Sequence, residues 1–116
     1  MSAPSLTKVV YLVDKLAGMS DEDFVAHWTT THAELAQAMP GLRGYSINLP
    51  SRQQRGRRPK DGYAALWFDS RDAAKEAWAS PEGKATGQDG ELFMAVAAPL
   101  MVEEIVVCGP AGEGRV

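Results

Sequence analysis

At 116 residues, with 45% hydrophobic and 23% charged residues, the chain has the balance of one soluble globular domain and is too short for two independent cores. A formal net charge of −3 supplies no basic field for nucleic acid, no apolar run reaches the roughly 18 residues of a membrane span, and MSAPSLTK lacks the apolar region of a signal peptide. The expected compartment is therefore the cytoplasm, and the lone Cys108, without a second thiol for a disulfide or a metal, is expected to be buried and inert.

Thr7 to Val13 (TKVVYLV) is rich in β-branched and aromatic residues and reads as a first strand. Val9, Tyr11 and Val13 share one face and Val10 and Leu12 the other, so both faces are apolar. Ser20 followed by Asp21, Glu22 and Asp23 is a helix start, a capping hydroxyl with carboxylates at the positive end of the helix dipole. Phe24, Trp28, Thr31, Leu35 and Met39 then recur as one helical stripe, the expected core face. The β-branched run Thr29, Thr30, Thr31 predicts a break or kink, and Pro40-Gly41 ends the helix. Leu42 to Leu49 resumes with period two, placing Arg43, Tyr45, Ile47 and Leu49 on one face of a second strand.

Residues 50–62 form a polar connection holding Arg52, Arg55, Arg57, Arg58 and Lys60, expected to be solvated, with gating of a cleft or attraction of an acidic substrate as the alternative. Tyr63 to Phe68 is a third strand, apolar on both faces. Ser70 or Asp69 caps a second helix, Arg71 to Ala79, with Ala73, Ala74, Ala77 and Trp78 as its apolar face. Beyond the interruption Ser80-Pro81-Glu82-Gly83, Glu91 to Ala98 is expected to be helical over part of its length and Leu100 to Cys108 to be the fourth strand. Glu103 and Glu104 then point to opposite faces, and one of them can face a cavity. The expected domain is 7–108, with flexible termini at 1–6 and 109–116.

Strand, helix, strand, strand, helix, strand is the order of an α+β, ferredoxin-like βαββαβ antiparallel sheet with its helices on one face. Two helices cover one face only, whereas the first and third strands are apolar on both. A second copy of the chain is the expected cover for the other, hence a homodimer.

The two histidines, His27 and His32, lie five residues apart, roughly 140° around an α-helix, so no shared metal is expected. His27 is expected to face solvent. His32, beside the core stripe, can serve as general acid or base because its ordinary pKa suits proton transfer near neutrality, or it can simply tie the helix to the sheet by a hydrogen bond. Tyr45 can offer its hydroxyl to a ligand or to His32. Tyr11, Trp28 and Trp67 can line an apolar substrate cavity, with ordinary core packing as the alternative for each.

The pieces KVVYLV, GMSDEDFVAHWTTTHAELAQAMPGLRGY, DGYAALWFDSRDAAKEAWASPEG and VEEIVV, in that order over Lys8 to Val107, resemble an EthD-domain protein of the dimeric α+β barrel superfamily. The resemblance implies a ferredoxin-like subunit that dimerises through its sheets and holds a cleft between sheet and helices. Similar domains include methylmuconolactone methylisomerase and fungal polyketide-processing decarboxylases or dehydratases, which use neither metal nor organic cofactor. The isomerase's histidine late in the first helix and its tyrosine after the Pro-Gly turn match His32 and Tyr45. Its cysteine falls at Leu66, and its histidine in the connection after the second strand has no equivalent. The implied function is a cofactor-independent enzyme of isomerase, lyase or oxygenase type acting on a small hydrophobic or aromatic metabolite in catabolism or secondary metabolism. His32 is its proton-transfer residue and Tyr45 holds a substrate oxygen. A non-catalytic ligand-binding or accessory protein supporting an oxygenase system, as in ether degradation, is the competing class.

Overall fold

The computed structural model describes residues 6–54 and 58–109. Its elements follow one another as β1 (Thr7–Lys15), α1 (Asp21–His27), a π-helical turn (Trp28–His32), α2 (Ala33–Gln37), β2 (Gly44–Asn48), a 3-10 turn (Arg52–Gln54), β3 (Gly62–Phe68), α3 (Arg71–Ala79), α4 (Pro81–Gly90) and β4 (Met94–Val102). The strands pair antiparallel in the spatial order β2-β3-β1-β4, the ferredoxin-like arrangement expected from the element order. Val9, Val13, Ala64, Leu66 and Phe68 from one face of the sheet meet Phe24, Trp28, Ala36, Met39, Ala74 and Ala77 from the helices in a single core.

The capping serines start the helices as anticipated: Ser20 Oγ accepts from the Asp23 N–H at 3.1 Å and Ser70 Oγ from the Ala73 N–H at 3.0 Å. The threonine run produces a π turn, in which the Ala33 N–H reaches back to the Trp28 carbonyl. Thr29 and Thr30 donate their hydroxyls to the Val25 and Ala26 carbonyls at 2.8 and 2.5 Å, so these carbonyls retain a donor where the ladder is disturbed. The extra residue in the turn shifts the phase of everything after it. Buried positions therefore run Phe24, Trp28, His32, Ala36, Met39, and Thr31, expected in the stripe, is exposed.

The C-terminal third departs most from expectation. Ser80 closes α3 by donating to the Ala77 carbonyl and opens α4 by accepting from the Gly83 N–H at 3.0 Å, with Pro81 in the first turn where its missing N–H costs nothing. Gly83 sits so close to α3 that a Cβ there would lie 2.2 Å from the Ala77 carbonyl oxygen. Only glycine lets the two helices turn this tightly. The glycine-rich segment is thus helix, and the run expected to be partly helical from Glu91 is a turn followed by strand. β4 starts at Met94, opposite Lys15, and ends at Val102, opposite Lys8. Pairing with the nine residues of β1 decides these limits. Glu103, Glu104 and Cys108 consequently fall beyond the strand and are exposed, with Glu104 3.3 Å from Lys8 and neither glutamate at the cavity described below.

The cations of the polar connection that are described in full serve the fold. Arg58 donates to Asp61 at 2.6 Å and to Asp21 at 2.8 Å, Lys60 donates to Asp14 at 3.0 Å, and Asp61 also accepts the Lys15 N–H at 2.7 Å. Burial alone would raise the Asp61 carboxyl, but the Lys15 N–H and the Arg58 guanidinium outweigh it and hold the group below its ordinary value. Arg55 and Arg57 lie outside the described residues. The opposite face of the sheet carries Val10, Leu12, Trp67, Val96 and Leu100, of which Val96 is 43% and Leu100 52% exposed.

The α3–α4 junction separates packing from propensity. Gly83→Ala should lower the unfolding free energy by about 1–3 kcal/mol although alanine favours helix, because the methyl group meets backbone. Gly87→Ala, in the same helix with nothing within 4 Å, should raise it by about 0.5–1 kcal/mol. Urea denaturation of both variants reads the difference, and equal shifts would contradict the packing account.

Candidate functional site

Between the sheet and the helices lies a cavity of about 360 Å³, lined by Tyr11 and Val13 of β1, Tyr45 of β2, Ala64 and Leu66 of β3, Trp78 of α3 and Ala95 and Ala97 of β4. Trp28 and His32 enter from the π turn, and Thr86, Gly87 and Gly90 of α4 close the side. The strand period places these sheet residues together: Tyr11 stands opposite Ala64, Tyr45 opposite Leu66, and Val13 opposite Ala97. Gly62, with φ of +158°, makes room for Trp28, since a Cβ there would lie 2.7 Å from Trp28 Cζ3.

The chemistry concentrates at the junction of the π turn and α4. Asp89, 9% exposed near the end of α4, lies 2.8 Å from His32 Nδ1 through Oδ2. His27 Nε2 lies 2.9 Å from the same oxygen and 3.1 Å from Oδ1. A carboxylate only accepts, so the nitrogens facing it carry the protons: Nδ1 on His32 and Nε2 on His27. The His32 Nε2 then keeps its lone pair and has no hydrogen-bond donor among the described residues. Phe93 packs against both imidazoles, with ring centroids 4.7 Å from His27 and 4.9 Å from His32.

Burial pushes the His32 pKa below 6.5, and the hydrogen bond and charge of Asp89 offset this only in part. His32 is accordingly neutral at neutral pH. Burial also pushes the Tyr11 phenol up to about 12 and raises Tyr45, the latter opposed by the Trp28 indole N–H. That N–H makes no hydrogen bond of full geometry, and the Trp78 indole N–H is likewise buried without a partner among the described residues.

Of the residues singled out in the sequence, Tyr11, Trp28, His32 and Tyr45 all line this cavity. Trp67 does not. The alternation of β3 turns Ala64, Leu66 and Phe68 towards the helices and leaves Trp67 on the other face, where Lys8 Nζ sits 5.2 Å over its ring. Trp78 from α3 is the further tryptophan of the wall. His27, expected in solvent, is half-buried against Asp89, because the π turn brings residues five apart onto one side. Asp89 was not singled out at all. The one trace of it in the sequence is the spacing of His27 and His32 across a β-branched run that disfavours a regular helix. Among the described residues, no group of three or more His, Cys, Asp or Glu side chains is arranged to hold a metal ion.

The EthD domain model matches residues 16–97. An ethyl tert-butyl ether D (EthD) family protein from Bacillus halodurans is similar over 87% of this chain and 100% of its own, with 24% identity and a TM-score of 0.74. A dimeric protein of unknown function with a ferredoxin-like fold from Bacteroides fragilis matches 85% of this chain and 96% of its own at 16% identity and a TM-score of 0.68. A dimeric ferredoxin-like protein of unknown function from Thermobifida fusca matches 88% and 94% respectively at 15% identity and a TM-score of 0.66. No functionally curated protein matches the chain at a significant level.

The depressed His32 pKa has a consequence for stability. An unfolded chain takes up the His32 proton as pH falls through about 6.5, whereas the folded chain resists until its lower pKa is reached, so stability is lost on acidification across that window. His32→Gln removes this loss. Urea unfolding between pH 7.5 and 5 should show wild type weakening more steeply than the variant, and parallel pH profiles would contradict a neutral buried His32.

Proposed function

The chain belongs to the EthD domain family, and from that membership and the cavity's geometry we propose a cofactor-independent enzyme that moves a proton on a small hydrophobic or aromatic metabolite. The observation that carries this reading is the 2.8 Å contact between His32 Nδ1 and Asp89, which leaves a neutral Nε2 at an apolar cavity. His32 Nε2 is the general base. It takes a proton from a carbon next to a carbonyl group, the C–H electron pair moves into the carbonyl, and the oxygen that gains negative charge accepts the Tyr45 O–H. Tyr45 stays protonated because burial raises it. Asp89 stabilises the imidazolium that forms, as the carboxylate does in a Ser-His-Asp triad.

Return of the proton to another carbon gives an isomerase, loss of a leaving group a lyase, and reaction of the enolate with dioxygen an oxygenase. All three share the first step. The apolar open face of the sheet, together with dimeric relatives of the same fold, supports a homodimer in which a second copy covers that face. Sedimentation should then give twice the 12.5 kDa chain mass, and a monomer at micromolar concentration would contradict it.

Proton abstraction can be followed before the natural substrate is known. Deuterium uptake into enolisable bicyclic ketones such as 2-tetralone, monitored by proton NMR in D₂O, should be accelerated by wild type and fall roughly 10²- to 10⁴-fold in His32→Gln. Tyr45→Phe should reduce it while leaving the fold intact. A bound ketone that exchanges no faster than in buffer would contradict catalysis and leave a ligand-binding or accessory role.

A further inference from the structure

Asp89 is a buried carboxylate with which, among the described residues, no lysine or arginine pairs. Its side chain is 9% exposed, and its hydrogen-bond donors among those residues are the two imidazoles alone. A buried carboxylate needs donors for its lone pairs, so the way two histidines divide it decides how much of its charge each one feels. The division is unequal. His32 gives its Nδ1–H to Oδ2, at 2.8 Å. His27 spans both oxygens with its Nε2–H, 2.9 Å from Oδ2 and 3.1 Å from Oδ1, and so resists rotation of the carboxylate.

Proton transfer by His32 needs a carboxylate that is held in place but not undivided. Asp89 orients the ring and supports the imidazolium of turnover. Given wholly to His32, however, it would favour the imidazolium in the resting protein as well, and a ring protonated on both nitrogens is no base. Burial is the largest of the influences that keep His32 neutral. Asp89 works against it through its hydrogen bond and its charge, and His27 works with it. The other titratable groups of the cavity wall are Tyr11 of β1, Tyr45 of β2 and Glu91 just past α4, while β3, β4 and α3 contribute none.

We propose that His27 is a positioning residue for the base: it clasps both oxygens of Asp89 and shares its negative charge, so that the carboxylate orients His32 without drawing a proton onto Nε2. It rests on the reading of His32 as the base and adds the residue that tunes it. His27 does not line the cavity, so it acts through Asp89 and touches no substrate.

The chain has two histidines, so an untagged His27 variant carries one imidazole, and its proton NMR titration belongs to His32 alone. His32→Gln assigns the pair in wild type. His27→Phe keeps a ring against Phe93 and removes the donor, whereas His27→Gln keeps a neutral, weaker donor. In both variants the His32 titration of the free protein should move to higher pH than in wild type, and further in His27→Phe. The acid limb of ketone exchange should move the same way, with ketone affinity at pH 7.5 unchanged. Should His27→Phe not fold, His27→Gln decides alone. A His32 titration that stays put or moves to lower pH while only stability falls would make His27 a structural anchor and overturn the inference. The NMR titration needs no substrate, so an absence of ketone exchange leaves the sharing of Asp89 standing on it. An exchange limb that stays put while the titration moves would remove His32 as the base and leave the hold of His27 on Asp89 intact.

Discussion

A single carboxylate holds the candidate site together. α4 has the composition of a poor helix, with Gly83, Gly87 and Gly90 among its ten residues. It forms a wall of the cavity because Asp89, in its last turn, is bound by His27 and His32 from the π turn. Both imidazoles are spent on that carboxylate through one nitrogen each. For His32 the nitrogen used is Nδ1, which sets the tautomer and leaves Nε2 to the cavity. The contact that anchors a weak helix is thus also the contact that sets the His32 tautomer, and Phe93 packs on both rings.

The π turn makes this arrangement possible. In an unbroken α-helix His27 and His32 would point well apart, and Asp89 could reach only one of them. The extra residue closes that angle and carries His32 into the core stripe between Trp28 and Ala36. The threonine hydroxyls lower the cost by bonding the Val25 and Ala26 carbonyls in the turn before. Irregular turns of this kind recur at functional sites because they aim side chains that a regular helix would point elsewhere.

Much of the fold was legible in the sequence because it is written in local signals. Ser20 and Ser70 announce their helices, α3 has the limits read from its apolar face, and β1 and β3 show their two apolar faces as continuous runs. The resemblance to EthD proteins located His32 and Tyr45 together. What escaped depends on partners distant in sequence. Asp89 has no local mark, since its role exists only when α4 packs on the π turn 57 residues away from His32. Helical geometry assigned His27 to solvent because it assumed an α-helix where the threonines build a π turn. β4 was placed too late because its limits are set by pairing with β1, while its alanine-rich start looks helical in isolation. Trp67 was assigned to the cavity on aromatic character alone, although strand alternation opposite Gly44 and Lys8 puts it on the other face.

Membership of the EthD domain family fits a cavity between helices and sheet, and the cavity's own residues narrow what it can do. Its imidazole and its phenols are neutral, and its carboxylates, Asp89 and Glu91, lie behind His32 and at an exposed position of the lining. The proposed reaction, abstraction of a proton from an uncharged molecule whose oxygen a phenol holds, rests on these features. The proposed chemistry depends on which nitrogen of His32 carries the proton. Long-range ¹H–¹⁵N NMR of the imidazole at pH 7 measures this directly: the expected result is a neutral ring protonated at Nδ1 with a free Nε2. A ring protonated at Nε2, or a doubly protonated imidazolium, would contradict it.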